Sequence, residues 1–206
     1  MQAITSSPLL GSLLAAAAWF AIGALSLVPS GNAFFARKCA FALGTLAGLA
    51  LAAAGLQAIW QAAPEQMTLP LGLPDLPFHL RLDPLAGFFL LLLGSVSAGV
   101  SVYAIGYFRD ETAGRLALLA LEYHVFLASM ALVILADDAY LFMVAWETMA
   151  LSSYFLVTTD HKLPAIRGAG FLYLLIAHLG AIAILLCFGV MNGGHGDYTF
   201  DALRAA

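Results

Sequence analysis

Long apolar runs separated by short polar loops dominate the chain. Six runs hold about 20 apolar residues each, the length that a helix needs to cross about 30 Å of hydrocarbon. They lack the apolar–polar alternation over about 10 residues that is typical of transmembrane barrel strands. The pattern predicts one all-α, polytopic membrane domain over residues 1–206, with helices at about Leu9–Val28, Cys39–Ala62, Pro84–Phe108, Leu116–Ala136, Ala139–Thr159 and Gly168–Met191.

The first run has no Lys or Arg before it. A secretory signal peptide begins with a positively charged region, so we interpret this run as a retained helix.

The second loop, Ala63–Asp83, is the only long one, and its four prolines exclude a helix. Two of its segments, Met67–Leu73 and Phe78–Leu82, have the length of short strands that would form a hairpin over the outer surface. An irregular cap over the helices is the alternative.

Composition supports a membrane protein and excludes other classes. Hydrophobic residues make up 63% of the chain and charged residues 10%, with a mean hydropathy of +0.95. Soluble domains carry about 25% charged residues, and disordered chains combine high charge with low hydrophobicity. The net charge of −4 leaves no basic surface of the kind that binds nucleic acid.

The basic residues predict the orientation. Six of the eight lie in or beside the first, third and fifth loops, and the others are Arg81 and Arg204. Because positive loops stay in the cytoplasm, we expect both termini on the outer, periplasmic side of a prokaryotic inner membrane. Cys39 and Cys187 would then lie at opposite ends of their helices, out of each other's reach, as buried small hydrophobic residues.

Small residues recur every four positions on the second predicted helix (Gly44, Gly48, Ala52) and on the third (Gly94, Ala98). Such spacing lets two helices approach closely in lipid.

Four ionisable side chains fall inside the predicted spans: Glu122, Glu147, His124 and His178. A charge at mid-membrane costs about 2.5–3.5 kcal/mol, so such groups face protein or water and mark candidate proton or ion routes. Glu147 is near the centre of its run, and His178 near the centre of the next. Glu122 and His124 lie one to two turns inside the cytoplasmic end of one helix and point in different directions, so they do not form one site. Glu122 either snorkels toward the interface or forms the cytoplasmic mouth of a path.

Glu147 is the strongest candidate. At helical spacing it shares one stripe with Tyr140, Tyr154 and Thr158, which would line a hydrated path. A buried glutamate held neutral by a hydroxyl is the alternative. Imidazole both accepts and donates protons, so His178 is a second candidate relay. The alternative is a structural histidine that forms a hydrogen bond to a neighbouring helix. His124 is more typical of a structural histidine.

Several segments resemble the antiporter-like membrane subunits of complex I and related hydrogenases. The resemblance is carried by Leu82–Leu85 with Phe88–Phe89, Ser101–Tyr107, Trp146–Val157, Ala169–Tyr173 and Ala177–Gly180. The residues Ser153–Val157, together with Ala177–Gly180, favour the branch of hydrogenase-4 component B and the formate hydrogenlyase membrane subunit.

The resemblance implies a proton-translocating subunit without a redox centre of its own. In that family a glutamate of the fifth helix pairs with a lysine of the seventh. Glu147 matches the glutamate, and His178 matches a position that is often polar in this branch. Members have about fourteen helices in inverted repeats, whereas this chain has about six. We therefore expect a fragment, a split gene or a short subunit whose missing helices another chain supplies.

Two alternative functions remain at this point: a subunit of a multi-subunit Na⁺/H⁺ antiporter, and a non-transporting scaffold of the same fold. The expected partners are other membrane subunits and a peripheral hydrogenase or dehydrogenase arm. We expect no cofactor and no metal, because two cysteines are too few for a four-thiolate cluster.

Overall fold

The computed structural model describes residues 7–28, 35–61, 63–194 and 196–205. Six of its helices are long and apolar enough to cross a membrane, as predicted. They are α1 (Pro8–Ser26), α2 (Phe41–Ile59), α3 (Pro84–Tyr107), α4 (Ala113–Leu135), α5 (Ala139–Val157) and α6 (Pro164–Asn192). A π-helical turn (Phe35–Ala40), two strands, β1 (Glu65–Leu73) and β2 (Leu76–Leu82), and a short helix α7 (Phe200–Ala205) complete the described elements.

Side-chain caps and prolines define where three helices begin. Ser7, Asp83 and Asp138 each accept a hydrogen bond from the backbone three residues on, which satisfies a free N–H of the first turn. Pro8 and Pro84 occupy the first helical position, where a missing N–H costs nothing.

Two helix starts differ from the prediction for an identifiable structural reason. The π-helical turn replaces the expected α-helical start at Cys39, and residue 62 lies outside the described residues. The helix α6 begins four residues earlier than expected, at Pro164, because proline is favourable at the first helical position.

Helices α2 and α3 form the most extensive helix pair, and their small residues bring the backbones together. A Cβ on Gly94 would stand 2.5 Å from the backbone nitrogen of Ala52, and one on Gly48 would stand 2.9 Å from the carbonyl oxygen of Gly94. The predicted close approach is therefore present, and it depends on these glycines.

Helix α1 packs against both α2 and α4. The side chain of Trp19 is fully buried there, and its indole N–H donates to the carbonyl of Gly44 at 3.3 Å. His124 is also fully buried, with Nδ1 donating to the carbonyl of Ala120 at 2.7 Å and its ring against Phe41. Its contacts are those of a histidine that packs the core.

Helices α5 and α6 extend outward from this cluster, α5 against α4 and α6 against α5. Among its described residues α6 buries only Gly170, Ala181 and Asn192. The sixth helix is therefore open to its surroundings along nearly its whole length.

The predicted hairpin is present over the second loop. Strands β1 and β2 pair antiparallel, with an irregularity between Leu69 and Gly72, where Pro70 cannot donate to the ladder. The hairpin is tied to the α4–α5 turn, because the His79 N–H donates to Asp138 at 2.6 Å and the Asp137 N–H donates to the His79 carbonyl. The Phe200 N–H donates to the Asp137 carbonyl, which fastens α7 to the same turn.

The expectation of two buried cysteines is wrong. Both thiols are free, but Cys39 is only half-buried and Cys187 is exposed. Cys187 lies on α6, which has few neighbours to cover it.

Candidate functional site

The structure joins two of the predicted site residues at the centre of the α5–α6 pair. The carboxylate Oε2 of Glu147 lies 3.4 Å from Nε2 of His178. Glu147 is the ninth residue of α5, and His178 is the fifteenth of α6. The two helices run in opposite directions, so residues near both midpoints meet.

A second contact fixes the tautomer of His178. Its Nδ1 lies 3.0 Å from the carbonyl oxygen of Leu174, which can only accept, so Nδ1 carries a proton. Nε2 is the atom that faces Glu147. A carboxyl group and an imidazole are both side-chain types that can take up and release protons.

The pair is not enclosed by this chain. The Glu147 side chain is 34% exposed and that of His178 is 43% exposed. Ionisable groups at membrane depth face protein or water rather than lipid. The open side of the pair therefore requires water or another protein surface.

Tyr154 and Thr158 lie on the same face of α5 as Glu147, toward α6. A Cβ on Gly170 of α6 would overlap the Thr158 methyl group and lie 3.3 Å from the Tyr154 ring, so both side chains face α6 there. Thr158 is buried, and Tyr154 is half-buried. Three of the four residues that the helical spacing places on one stripe, Glu147, Tyr154 and Thr158, therefore face α6.

A cleft of about 770 Å³ opens at the end of α5 where Thr158 lies. Glu122 of α4 and Tyr154 and Thr158 of α5 line it, and its rim carries Arg115, Asp160, Lys162 and Arg167. A smaller cavity of about 230 Å³ lies along the α4–α5 groove and shares Glu122 and Phe155 with the cleft. Thr148, the neighbour of Glu147 in the chain, lines the smaller cavity.

The structure does not bring all the candidates together. Glu122 lies on α4, on another side of α5 from the Glu147–His178 pair. Tyr154 is seven residues from Glu147, about 10 Å along the helix axis. Tyr140 is at the opposite end of α5, with its ring 5.7 Å from that of Phe78 in the hairpin.

The sequence alone missed two features of this region. It singled out Glu147 and His178 separately, and their central positions in consecutive predicted helices were the signal for pairing them. It also missed the ion pair of Arg115 with Asp160, 2.8 Å apart, which joins the start of α4 to the α5–α6 loop. No group of three or more His, Cys, Asp or Glu side chains suited to a metal ion occurs among the described residues.

No protein-family model matches the chain. Hydrogenase-4 component B of Escherichia coli is 34% identical over 125 residues, which is 61% of this chain and 18% of that protein. NADH-quinone oxidoreductase subunit L of Mycobacterium tuberculosis is 35% identical over 89 residues, 43% of this chain and 14% of that protein. An uncharacterised protein of Mycobacterium tuberculosis is 41% identical over 133 residues, 65% of this chain and 20% of that protein.

Solved structures show the same fold. A chain of the Mrp complex from a Dietzia species matches 93% of this chain with a TM-score of 0.73 and 26% identity. A chain of the membrane-bound sulfane sulfur reductase, an archaeal respiratory membrane complex, matches 94% with a TM-score of 0.72 and 20% identity. This chain spans about a fifth of the Mrp chain and of the curated relatives.

The resemblance read from the sequence is confirmed. The homologues include hydrogenase-4 component B and NADH-quinone oxidoreductase subunit L, each matched over part of this chain. The chain is a multi-pass membrane protein with the fold of subunits from multi-subunit membrane complexes.

Proposed function

We propose that the chain is part of a proton-translocating, antiporter-like membrane subunit, and that the Glu147–His178 pair relays protons at mid-membrane. The observation that carries the proposal is the 3.4 Å contact between the carboxylate and Nε2. Both groups exchange protons, and both lie in helices long enough to cross the bilayer. Homology to subunits of hydrogenase-4 and NADH-quinone oxidoreductase supports the same function.

In this proposal protons reach the pair from the end of α5 where Arg115 and Lys162 lie. The cleft beside Glu122, Tyr154 and Thr158 is wide enough for water and ends about 10 Å from Glu147 along the helix. Water would bridge that distance on the α6 side, and Tyr140 would lie at the exit beneath the hairpin. Glu122 would hold protons at the entrance.

The orientation follows the basic residues. The positive-inside rule places the cleft with Arg115, Lys162 and Arg167 on the cytoplasmic side, and the hairpin on the outer side of a prokaryotic inner membrane. Other membrane subunits would cover α6 and the open side of the Glu147–His178 pair. A peripheral redox subunit would drive proton movement, since the proposed role of this chain includes no redox centre.

A second candidate is a subunit of a multi-subunit Na⁺/H⁺ antiporter. The fold matches a chain of the Mrp complex and a chain of a respiratory complex about equally, with TM-scores of 0.73 and 0.72. Ion exchange without electron transfer is the property that separates the two candidates.

Inverted membrane vesicles that contain the assembled complex test the proposal. We expect electron transfer to acidify the vesicle interior, followed with a pH-sensitive dye, in a medium without Na⁺. If the interior instead changes pH only when a Na⁺ gradient is imposed, the antiporter is the correct assignment. If neither drives proton movement in a complex that is assembled and active in electron transfer, the chain is a scaffold.

A further inference from the structure

Two cations at the rim of the cleft form no ion pair within the part of the chain that the structure describes. Arg115 pairs with Asp160 at 2.8 Å and with Glu111 at 3.5 Å. Lys162 and Arg167, which also line the cleft, have no carboxylate within 4.0 Å among the described residues. The Arg167 guanidinium donates to the carbonyls of His161 and Lys162 at 2.9 and 3.2 Å. These two bonds hold its charge at the rim.

A mostly apolar groove, which also contains the Glu122 carboxyl group and the Thr148 hydroxyl, runs from this rim toward the middle of α4 and α5. Leu118 and Phe155 line the cleft, and Leu151 and Val125 continue the wall into the smaller cavity. Leu118, Phe155 and Leu151 are 49%, 51% and 42% exposed, so the groove is open along its side. From Arg115 to Val125 it extends about 15 Å along α4.

This combination fits an amphiphile with an anionic head. A phosphate satisfies unpaired Lys and Arg side chains through charge-assisted hydrogen bonds, and basic pockets between transmembrane helices bind anionic lipid head groups. A free phosphate would leave the apolar groove uncovered. A purely apolar helix would bury two unpaired cations, which is costly.

We propose that this groove binds an anionic phospholipid, with its phosphate at Lys162 and Arg167 and one acyl chain along Leu118, Phe155 and Leu151. The lipid forms the outer wall of the cleft and separates it from the surrounding bilayer. Glu122 lines both this groove and the proposed proton entrance. Lipid retention is measured without electron transfer, so its failure can be distinguished from failure of the proposed relay at Glu147 and His178.

Lipid retention by the assembled complex tests the proposal. The complex is exchanged into nanodiscs of equimolar phosphatidylglycerol and phosphatidylcholine, released into detergent, and its bound lipid is measured by native mass spectrometry. We expect the wild type to retain phosphatidylglycerol in preference to phosphatidylcholine. The double variant Lys162→Gln/Arg167→Gln should lose about tenfold or more of that retention, since each surface cation attracts anionic lipid.

Arg109→Gln is the matched control, because Arg109 lies in the loop before α4, is exposed and does not line the cleft. It should retain phosphatidylglycerol like the wild type. Equal losses in both variants would show a general effect of surface charge and overturn the site. The proposal is also overturned if the wild-type complex retains no phosphatidylglycerol, or retains both lipids equally. A protein surface would then be the occupant of the groove.

A separate arm distinguishes a lipid site from a phosphate site. Inorganic phosphate in millimolar excess should leave the bound phosphatidylglycerol in place, and Phe155→Ala should weaken its retention without removing a charge. Displacement by phosphate, or unchanged retention in Phe155→Ala, would contradict binding of the acyl chain.

Discussion

Two adjacent aspartates in the α4–α5 turn serve different roles. Asp138 caps α5 by accepting from the Leu141 N–H at 2.6 Å, and it also accepts from the His79 N–H in the hairpin. No such pair of backbone donors reaches the Asp137 side chain among the described residues, although its backbone bonds join the hairpin to α7. Burial raises the pKa of Asp137 above the usual aspartate range, and the nearby Arg81 guanidinium offsets part of this effect.

The raised pKa of Asp137 makes a pH-dependent contribution to stability. An acid whose pKa is higher in the folded than in the unfolded protein binds its proton more tightly when folded. Stability therefore falls as pH rises from the ordinary value of 3.8 through the raised pKa. The variant Asp137→Asn keeps the backbone bonds but cannot titrate at this position. We predict that its thermal unfolding midpoint, measured in detergent, falls less between pH 4 and pH 8 than that of the wild type.

Asp75→Asn is the matched control, because Asp75 is an exposed acid in the hairpin turn. Its pH profile should follow that of the wild type. A profile for Asp137→Asn that also coincides with the wild type would mean that burial of Asp137 has no energetic consequence.

The residues of the candidate site show what a sequence can predict. The depth of Glu147 and His178 in their runs indicated intramembrane ionisable groups, because apolar run length alone locates the membrane. Their contact depends on how α5 and α6 are rotated and offset, which run length does not define. Hydropathy also does not distinguish a helix face toward protein from one toward lipid. Cys187 was therefore predicted to be buried, whereas it is exposed.

At the scale of elements, glycine spacing and proline position were the informative signals. Gly48 and Gly94 predicted the α2–α3 contact, and the prolines of the second loop predicted an extended rather than a helical segment. Pairing of β1 with β2 could not be distinguished from an irregular cap, because it depends on the α4–α5 turn that holds β2 in place. The π-helical turn had no sequence signal.

The α2–α3 contact predicts a sharp difference between two glycines of the same helix. Gly94→Ala places a Cβ 2.5 Å from the Ala52 backbone nitrogen, whereas a Cβ at Gly99 meets nothing within 4 Å among the described residues. Backbone cannot move aside as a side chain can, so we expect Gly94→Ala to destabilise the protein by about 1–3 kcal/mol. Gly99→Ala should be neutral or stabilising by up to about 1 kcal/mol.

Unfolding in mixed micelles, followed by circular dichroism, measures both variants under the same conditions. The prediction concerns their difference, so a shared effect of detergent cancels. Equal stability of Gly94→Ala and Gly99→Ala would mean that α2 and α3 are not in backbone contact.

At the scale of the whole molecule, packing decreases from the first helices to the sixth. The cluster of α1 to α4 buries Trp19 and His124 completely, whereas α6 is almost bare. The Glu147–His178 pair lies in the least enclosed part, with a third or more of each side chain exposed. A mid-membrane ionisable pair in this position is consistent with function inside a larger complex, which the proposal requires.

The central claim is that Glu147 carries protons. Its most direct test is the number of protons taken up per electron transferred in inverted vesicles that contain the assembled complex, compared between wild type and Glu147→Gln. Asp110→Asn is the control, because Asp110 is 89% exposed in the loop between α3 and α4. We predict that Glu147→Gln lowers the ratio by the protons that this subunit moves, while Asp110→Asn leaves it unchanged. An unchanged ratio in an assembled, electron-transferring Glu147→Gln complex would contradict the account.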